Sequence, residues 1–148
     1  MTSTTLNMSM MKNSPQLLSY DIAPGVRAFS TMRQGGVGEG AYCSFNINSY
    51  CGDSQENIEA NKASLAETLG IEPTKILLPH QVHGADFCII APDFMALSEE
   101  DRAKVIEGVD GIFTSMSGVC IGVSTADCIP IIIYDPEHHA ACAIHAGW

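Results

Sequence analysis

Four short, strongly apolar runs crowd the last third of the chain: Gly111–Thr114, Val119–Thr125, Pro130–Tyr134 and Ala140–His145. They are rich in Ile, Val and Cys, and Ser117-Gly118 and Asp135-Pro136-Glu137 mark turns between them. Runs of this length, bounded by Gly, Pro, Asp and Ser, read as strands. Strands with so little polar alternation are expected to be buried on both faces, which requires covering layers. The chain offers two good helices for that task. Gln55–Leu69 has Ser54 or Asp53 as a cap and Gly70 with Pro73 as a stop, and Ile58, Leu65 and Leu69 share one face beside Ala66. Ser98–Glu107 opens on a near capping box, with Asp101 three residues after Ser98.

Upstream, a strand is expected near Gly25–Thr31, a glycine-rich loop at Gly35–Gly40, a second short strand over Tyr42–Ile47, and further strands at Lys75–Pro79 and Phe87–Ile90. Residues 1–20 are polar at their start and read as a flexible N-terminus. They lack a basic segment followed by an apolar one, so no signal peptide is expected, and no stretch reaches the ~20 apolar residues that span a bilayer. The 148 residues carry 17 acidic against 7 basic side chains, a net charge of -10. That balance repels phosphate backbones and anionic lipid, which argues against nucleic acid and membrane as partners. A cytoplasmic location is expected, with the six cysteines as free thiols.

Three local signatures carry candidate chemistry. In Thr31-Met32-Arg33-Gln34-Gly35-Gly36-Val37, an arginine beside a glycine loop can grip phosphate or carboxylate with two N–H donors; a tight turn with a surface arginine is the plainer reading. In His80-Gln81-Val82-His83-Gly84, two histidines three apart in extended chain point to opposite faces, so they do not form a metal pair. In Ala126-Asp127-Cys128-Ile129-Pro130, Asp127 and Cys128 interrupt apolar sequence, where a carboxylate is costly unless paired. Cys128 reads as a structural thiol, a nucleophile or a metal ligand. If the strand ends meet, His83, Cys128 and His145 supply two imidazoles and a thiolate, three donors with an open fourth position.

Thr31-x-Arg33-x-Gly35-Gly36-Val37, Tyr42-x-Ser44-Phe45-Asn46, Gly52-Asp53, Asn57-x-x-x-Asn61, Gln81-Val82-His83-Gly84, Asp110-Gly111, Ala126-Asp127-Cys128-x-Pro130 and His145-Ala146-Gly147-Trp148 follow one another in this order. Together they resemble the signature of the laccase-domain (YfiH-type) family. The resemblance implies an α/β (α+β) fold, a layered α/β/β/α sandwich with mixed sheets, related to cysteine-dependent toxin domains. It implies a metal site on His83, Cys128 and His145 in a pocket with Arg33. It also implies a zinc enzyme of purine nucleosides, phosphorolytic and in some members adenosine-deaminating, in a family first described as copper polyphenol oxidases.

Purine nucleoside and phosphate are then the expected partners, with Arg33 on the phosphate and Ser44 and Asn46 lining the substrate pocket. Asp127 or His80 is a candidate for proton transfer, and Asp127 alternatively orients a zinc ligand. Copper is a weaker expectation than zinc, because multicopper sites need several His-rich clusters. A cysteine hydrolase built on Cys128 and a structural zinc module are the other readings. The family's pattern runs past the tryptophan that ends this sequence. Residues 21–148 are therefore expected to be the N-terminal portion of a single domain, incomplete at its C-terminus, with a missing half or a homo-oligomer completing it.

Overall fold

The computed structural model describes residues 14–147. Most of the expected flexible N-terminus lies outside the described residues, as does Trp148. Order begins earlier than the sequence suggests: Leu17–Tyr20 forms β1 and pairs antiparallel with β2, Ala28–Thr31, in the register Leu17↔Thr31 to Tyr20↔Ala28. The described chain groups into two compact units, one of residues 14–21 and 26–73, the other of residues 22–25 and 74–147.

In the first unit, the expected strand at Tyr42–Ile47 is absent. Gly40–Tyr42 is a single 3-10 turn, and the following residues form an irregular loop. The side chains of Asn46 and Asn48 explain this. Each accepts a hydrogen bond from the backbone N–H two residues on, at 3.0 Å from Asn48 and 2.9 Å from Tyr50. Such Asx turns compete with ladder pairing. Helix α1 spans Gln55–Leu69 as expected and stops at Gly70, whose φ of 74° only glycine adopts without strain. Ser54 takes the N-cap position without a side-chain capping bond. Ile58, Leu65 and Ala66 are buried, together with Asn61.

The second unit holds a parallel pair, β3 (Ile76–Leu77) with a strand at Cys120–Ile121, and a four-stranded sheet. β4 (Phe87–Ile90) runs parallel to β5 (Gly111–Thr114), and the crossover between them carries two short helices, α2 (Pro92–Ala96) and α3 (Glu99–Val105). Cys120–Ile121 is β6. β7 (Ile129–Asp135) and β8 (Ala140–Ala146) form a hairpin, and β8 pairs antiparallel with β5, giving the order β4-β5-β8-β7. Ser98 caps α3 by accepting the Asp101 N–H. The Lys75–Pro79 and Val119–Thr125 strands shrink to two residues each.

Leu77, Ile90, Phe94, Ile106, Val109 and Ile112 form the core of this unit on one face of the sheet. Ile112 has no exposed surface. Ile112→Val is therefore expected to cost about 1 kcal/mol, seen as a lower urea midpoint with unchanged slope. Directly opposed residues share a face, so the register puts Phe87, Ile89, Phe113, Cys142, Ile144, Ile129, Ile131 and Ile133 together on the other side. Phe87 is 62% and Ile129 64% exposed. Among the described residues the sheet is covered on one face. Among the described residues no helix is long and apolar enough to cross a membrane.

Candidate metal centre

The segment after β3 leaves extended geometry at His83, whose φ is 62°. A non-glycine residue rarely stays in this left-handed region without support. Support comes from Asp110, which immediately precedes β5. Its carboxylate accepts the backbone N–H groups of Val82 at 3.2 Å, His83 at 2.9 Å and Gly84 at 2.7 Å. Three successive N–H groups converging on one anion make a nest, here built around a side chain of the same fold. The expectation of an extended His80–His83 pair fails for this reason, although its consequence holds: His80 turns to Glu107, with Nδ1 2.6 Å from Oε1.

Asp110 also fixes a second imidazole. Its Oδ1 lies 2.7 Å from Nδ1 of His145, which β8 brings beside it through the His145 N–H bond to the Asp110 carbonyl. Both side chains are buried. Burial opposes ionisation of Asp110, but the hydrogen bonds from His145 and from the Gly84, Val82 and His83 N–H groups outweigh it and hold the carboxyl below the usual range. With Nδ1 committed to Asp110, His145 keeps Nε2 for a ligand. Cys128 sits just before β7, its Sγ 3.9 Å from Nε2 of His83. The His83 and His145 rings stand edge to face, centroids 4.7 Å apart.

One donor atom from each of His83, Cys128 and His145 lies within 4.8 Å of the other two. This group can hold a metal ion. Two imidazoles and a thiolate are borderline to soft donors, and three of them leave a position open for a further ligand. Ligating imidazoles characteristically give their other nitrogen to a carboxylate, as His145 does to Asp110. The donor set therefore fits zinc on chemistry as well as on proximity.

The orienting carboxylate is Asp110 and not Asp127, which is exposed in the bend before β7 and has no side-chain hydrogen bond among the described residues. Sequence reasoning had Asp110 only as part of a motif. Its signal was a lone acidic residue directly before an apolar strand. Gln81 was also missed: its amide exchanges two hydrogen bonds with the backbone of Ser124, both at 2.7 Å.

Arg33, Ser44 and Asn46 belong to the first unit. The Arg33 side chain is exposed, and its carbonyl accepts the N–H groups of Ser44 and Phe45. The Ser44 hydroxyl accepts the Gly36 N–H and donates to the Arg33 carbonyl. The Asn46 amide is committed to Asp53, Cys51 and the Asn48 N–H. Ser44 and Asn46 thus organise the loop that carries Arg33.

The family model described as multi-copper polyphenol oxidoreductase laccase matches residues 27–148. A purine nucleoside phosphorylase of Bacteroides thetaiotaomicron is 40% identical over 120 residues, covering 81% of this chain and 44% of that protein. The adenosine deaminase RL5 of an unknown prokaryotic organism is 36% identical over 124 residues, covering 84% and 47%. The crystal structure of YlmD from Geobacillus stearothermophilus superposes with a TM-score of 0.76 at 32% identity, covering 85% of this chain and 48% of that one. The mixed α+β architecture is shared with that structure. The chain spans about half the length of the curated relatives it matches.

Proposed function

We propose, for a chain that belongs to the multi-copper polyphenol oxidoreductase laccase family, that it serves a zinc-dependent purine nucleoside enzyme whose main reaction is phosphorolysis, with adenosine deamination as a second activity. The observation that carries this reading is the convergence of His83, Cys128 and His145 with a buried carboxylate behind one imidazole. The names of the relatives point to purine nucleosides as substrates.

In this reading the two imidazoles and the Cys128 thiolate hold the ion, and the thiolate offsets part of its charge. Lewis acidity is the chemistry that zinc supplies when bound. Asp110 keeps His145 in one tautomer, with Nε2 facing the site. Arg33 binds the phosphate nucleophile through paired N–H donors. In phosphorolysis a phosphate oxygen bonds to C1′ of the ribose, the glycosidic bond breaks, and the base leaves with its electron pair and takes a proton. With orientation assigned to Asp110, Asp127 is left for that proton transfer, and His80 is the alternative donor. Ser44 and Asn46 shape the loop that presents Arg33 to substrate.

Copper remains the competing metal, because it binds such donors more tightly than zinc. A multicopper oxidase needs several clusters, and the described residues contain one group of this kind.

The test is metal content and turnover on one preparation, with adenosine and inosine, with and without phosphate. The expected result is about one zinc per chain and phosphate-dependent release of free base. Cys128→Ala is expected to lose the metal and to lower turnover by more than about 100-fold, since replacing groups that merely support ligands already costs ~10–100-fold. Ammonia release without phosphate would make deamination the main reaction. A metal-free chain whose Cys128 reacts readily with alkylating reagents would overturn the zinc reading in favour of a cysteine hydrolase.

A further inference from the structure

We infer that Gln81 is a positioning residue for Cys128, holding the segment that carries the thiol against the segment that carries His83. A side-chain amide has the same donor and acceptor as a peptide group, so Gln81 can stand in for a strand. Its Nε2 donates to the Ser124 carbonyl and its Oε1 accepts the Ser124 N–H, both at 2.7 Å. Backbone pairing between β3 and β6 ends with the Gly122 N–H bond to the Leu77 carbonyl. The Gln81 amide closes the two segments once more beyond that point.

The location gives this bond its purpose. Gln81 lies two residues before His83, and Ser124 lies four before Cys128. Between Ser124 and Cys128 the chain is exposed and irregular, and pairing resumes only at Ile129, opposite Ala146. The Cys128 loop is therefore anchored downstream by β7 and upstream by one glutamine side chain. Asp110 fixes His83 and His145 but makes no bond to the Cys128 segment among the described residues. Gln81 supplies the remaining restraint on the three-donor geometry.

The consequence for metal binding rests on the zinc reading above, whereas the restraint on Cys128 does not. The test uses the full chain with Gln81→Met, which keeps the length of the side chain without its hydrogen bonds. In metal-free protein, peptide-resolved alkylation with iodoacetamide is expected to be about 30-fold faster at Cys128, the size two ordinary hydrogen bonds account for, and unchanged at Cys142. Zinc affinity, measured by competition with a chelating dye, is expected to fall by about 10–100-fold. The thiolate-to-cobalt absorption band of the Co2+-substituted protein should weaken as well. Gln81→Glu, which keeps the acceptor for the Ser124 N–H, should fall between the two and serves if Gln81→Met does not fold. Equal Cys128 alkylation rates in wild type and in folded variants would overturn the inference. If wild type takes up no zinc while the alkylation rates still differ, the zinc reading falls and the role of Gln81 stands.

Discussion

Asp110→Ala is expected to destabilise the protein by about 3–5 kcal/mol, because it removes a buried carboxylate whose four hydrogen bonds contribute roughly 1 kcal/mol each. The wild-type carboxylate accepts from four donors: the N–H groups of Val82, His83 and Gly84, and Nδ1 of His145. Alanine leaves all of them without an acceptor, and the buried His145 donor cannot turn to water. The left-handed backbone at His83 loses the anion that holds it there. Asp110→Asn separates charge from shape. It keeps Oδ1 for His145 and the His83 N–H but turns an amide NH2 towards the N–H groups of Val82 and Gly84. Zinc affinity is expected to drop by about 10–100-fold in that variant, because the turn that carries His83 loses the acceptor for its flanking N–H groups. Chemical denaturation gives the stability difference, and chelator competition gives the affinity. An Asp110→Asn protein that binds zinc as tightly as wild type would remove Asp110 from the site.

The same residue shows where sequence reading succeeds and where it stops. Helix α1 and the β7–β8 hairpin could be read closely because their signals are local: Gly70 ends one, and Asp135, which accepts the N–H groups of Glu137 and His138, turns the other. The strands at Cys120–Ile121 and Ile76–Leu77 came out shorter than their apolar runs. Strand length there is decided by a partner far along the chain, and Gln81 takes over where pairing ends. The His83–Cys128–His145 group was legible through the resemblance, and spacing alone left it open. The role of its supporting carboxylate was not legible: Asp110 stood in a motif, but nothing local says that its partners are His145 and the turn at His83. Burial depends on more than composition. Runs rich in isoleucine read as enclosed on both faces, yet the Phe87, Ile89 and Ile131 face is open. Hydrophobicity shows that a strand face prefers cover; it does not say which part of the protein supplies it.

The loop of the first unit gives the second large expected effect. Asn61 is buried, and its side chain ties three backbone points together: Oδ1 accepts the Val37 N–H at 2.9 Å, and Nδ2 donates to the carbonyls of Asn46 at 2.9 Å and Ser44 at 3.3 Å. Asn61→Ala is expected to cost about 3 kcal/mol, roughly 1 kcal/mol for each bond. Asn61→Asp should be worse, because a carboxylate oxygen would replace the amide donor facing two carbonyls. Gly36 tests the same closure from the other side. A Cβ there would lie 2.2 Å from the Ser44 oxygen, 2.5 Å from Cα of Phe45 and 2.6 Å from Oδ1 of Asn61. Two of these are backbone atoms that cannot swing away, so Gly36→Ala must displace the strip from Ser44 to Phe45, at about 1–3 kcal/mol or more. That strip bonds to the carbonyl of Arg33, so its displacement moves the residue assigned to phosphate. Stability falls in both variants by denaturant unfolding, and the apparent KM for phosphate should rise more than kcat falls, as expected when binding and not chemistry is disturbed. A stable Asn61→Ala variant with wild-type phosphate dependence would mean that the loop does not need this clamp and that Arg33 acts, if at all, without it.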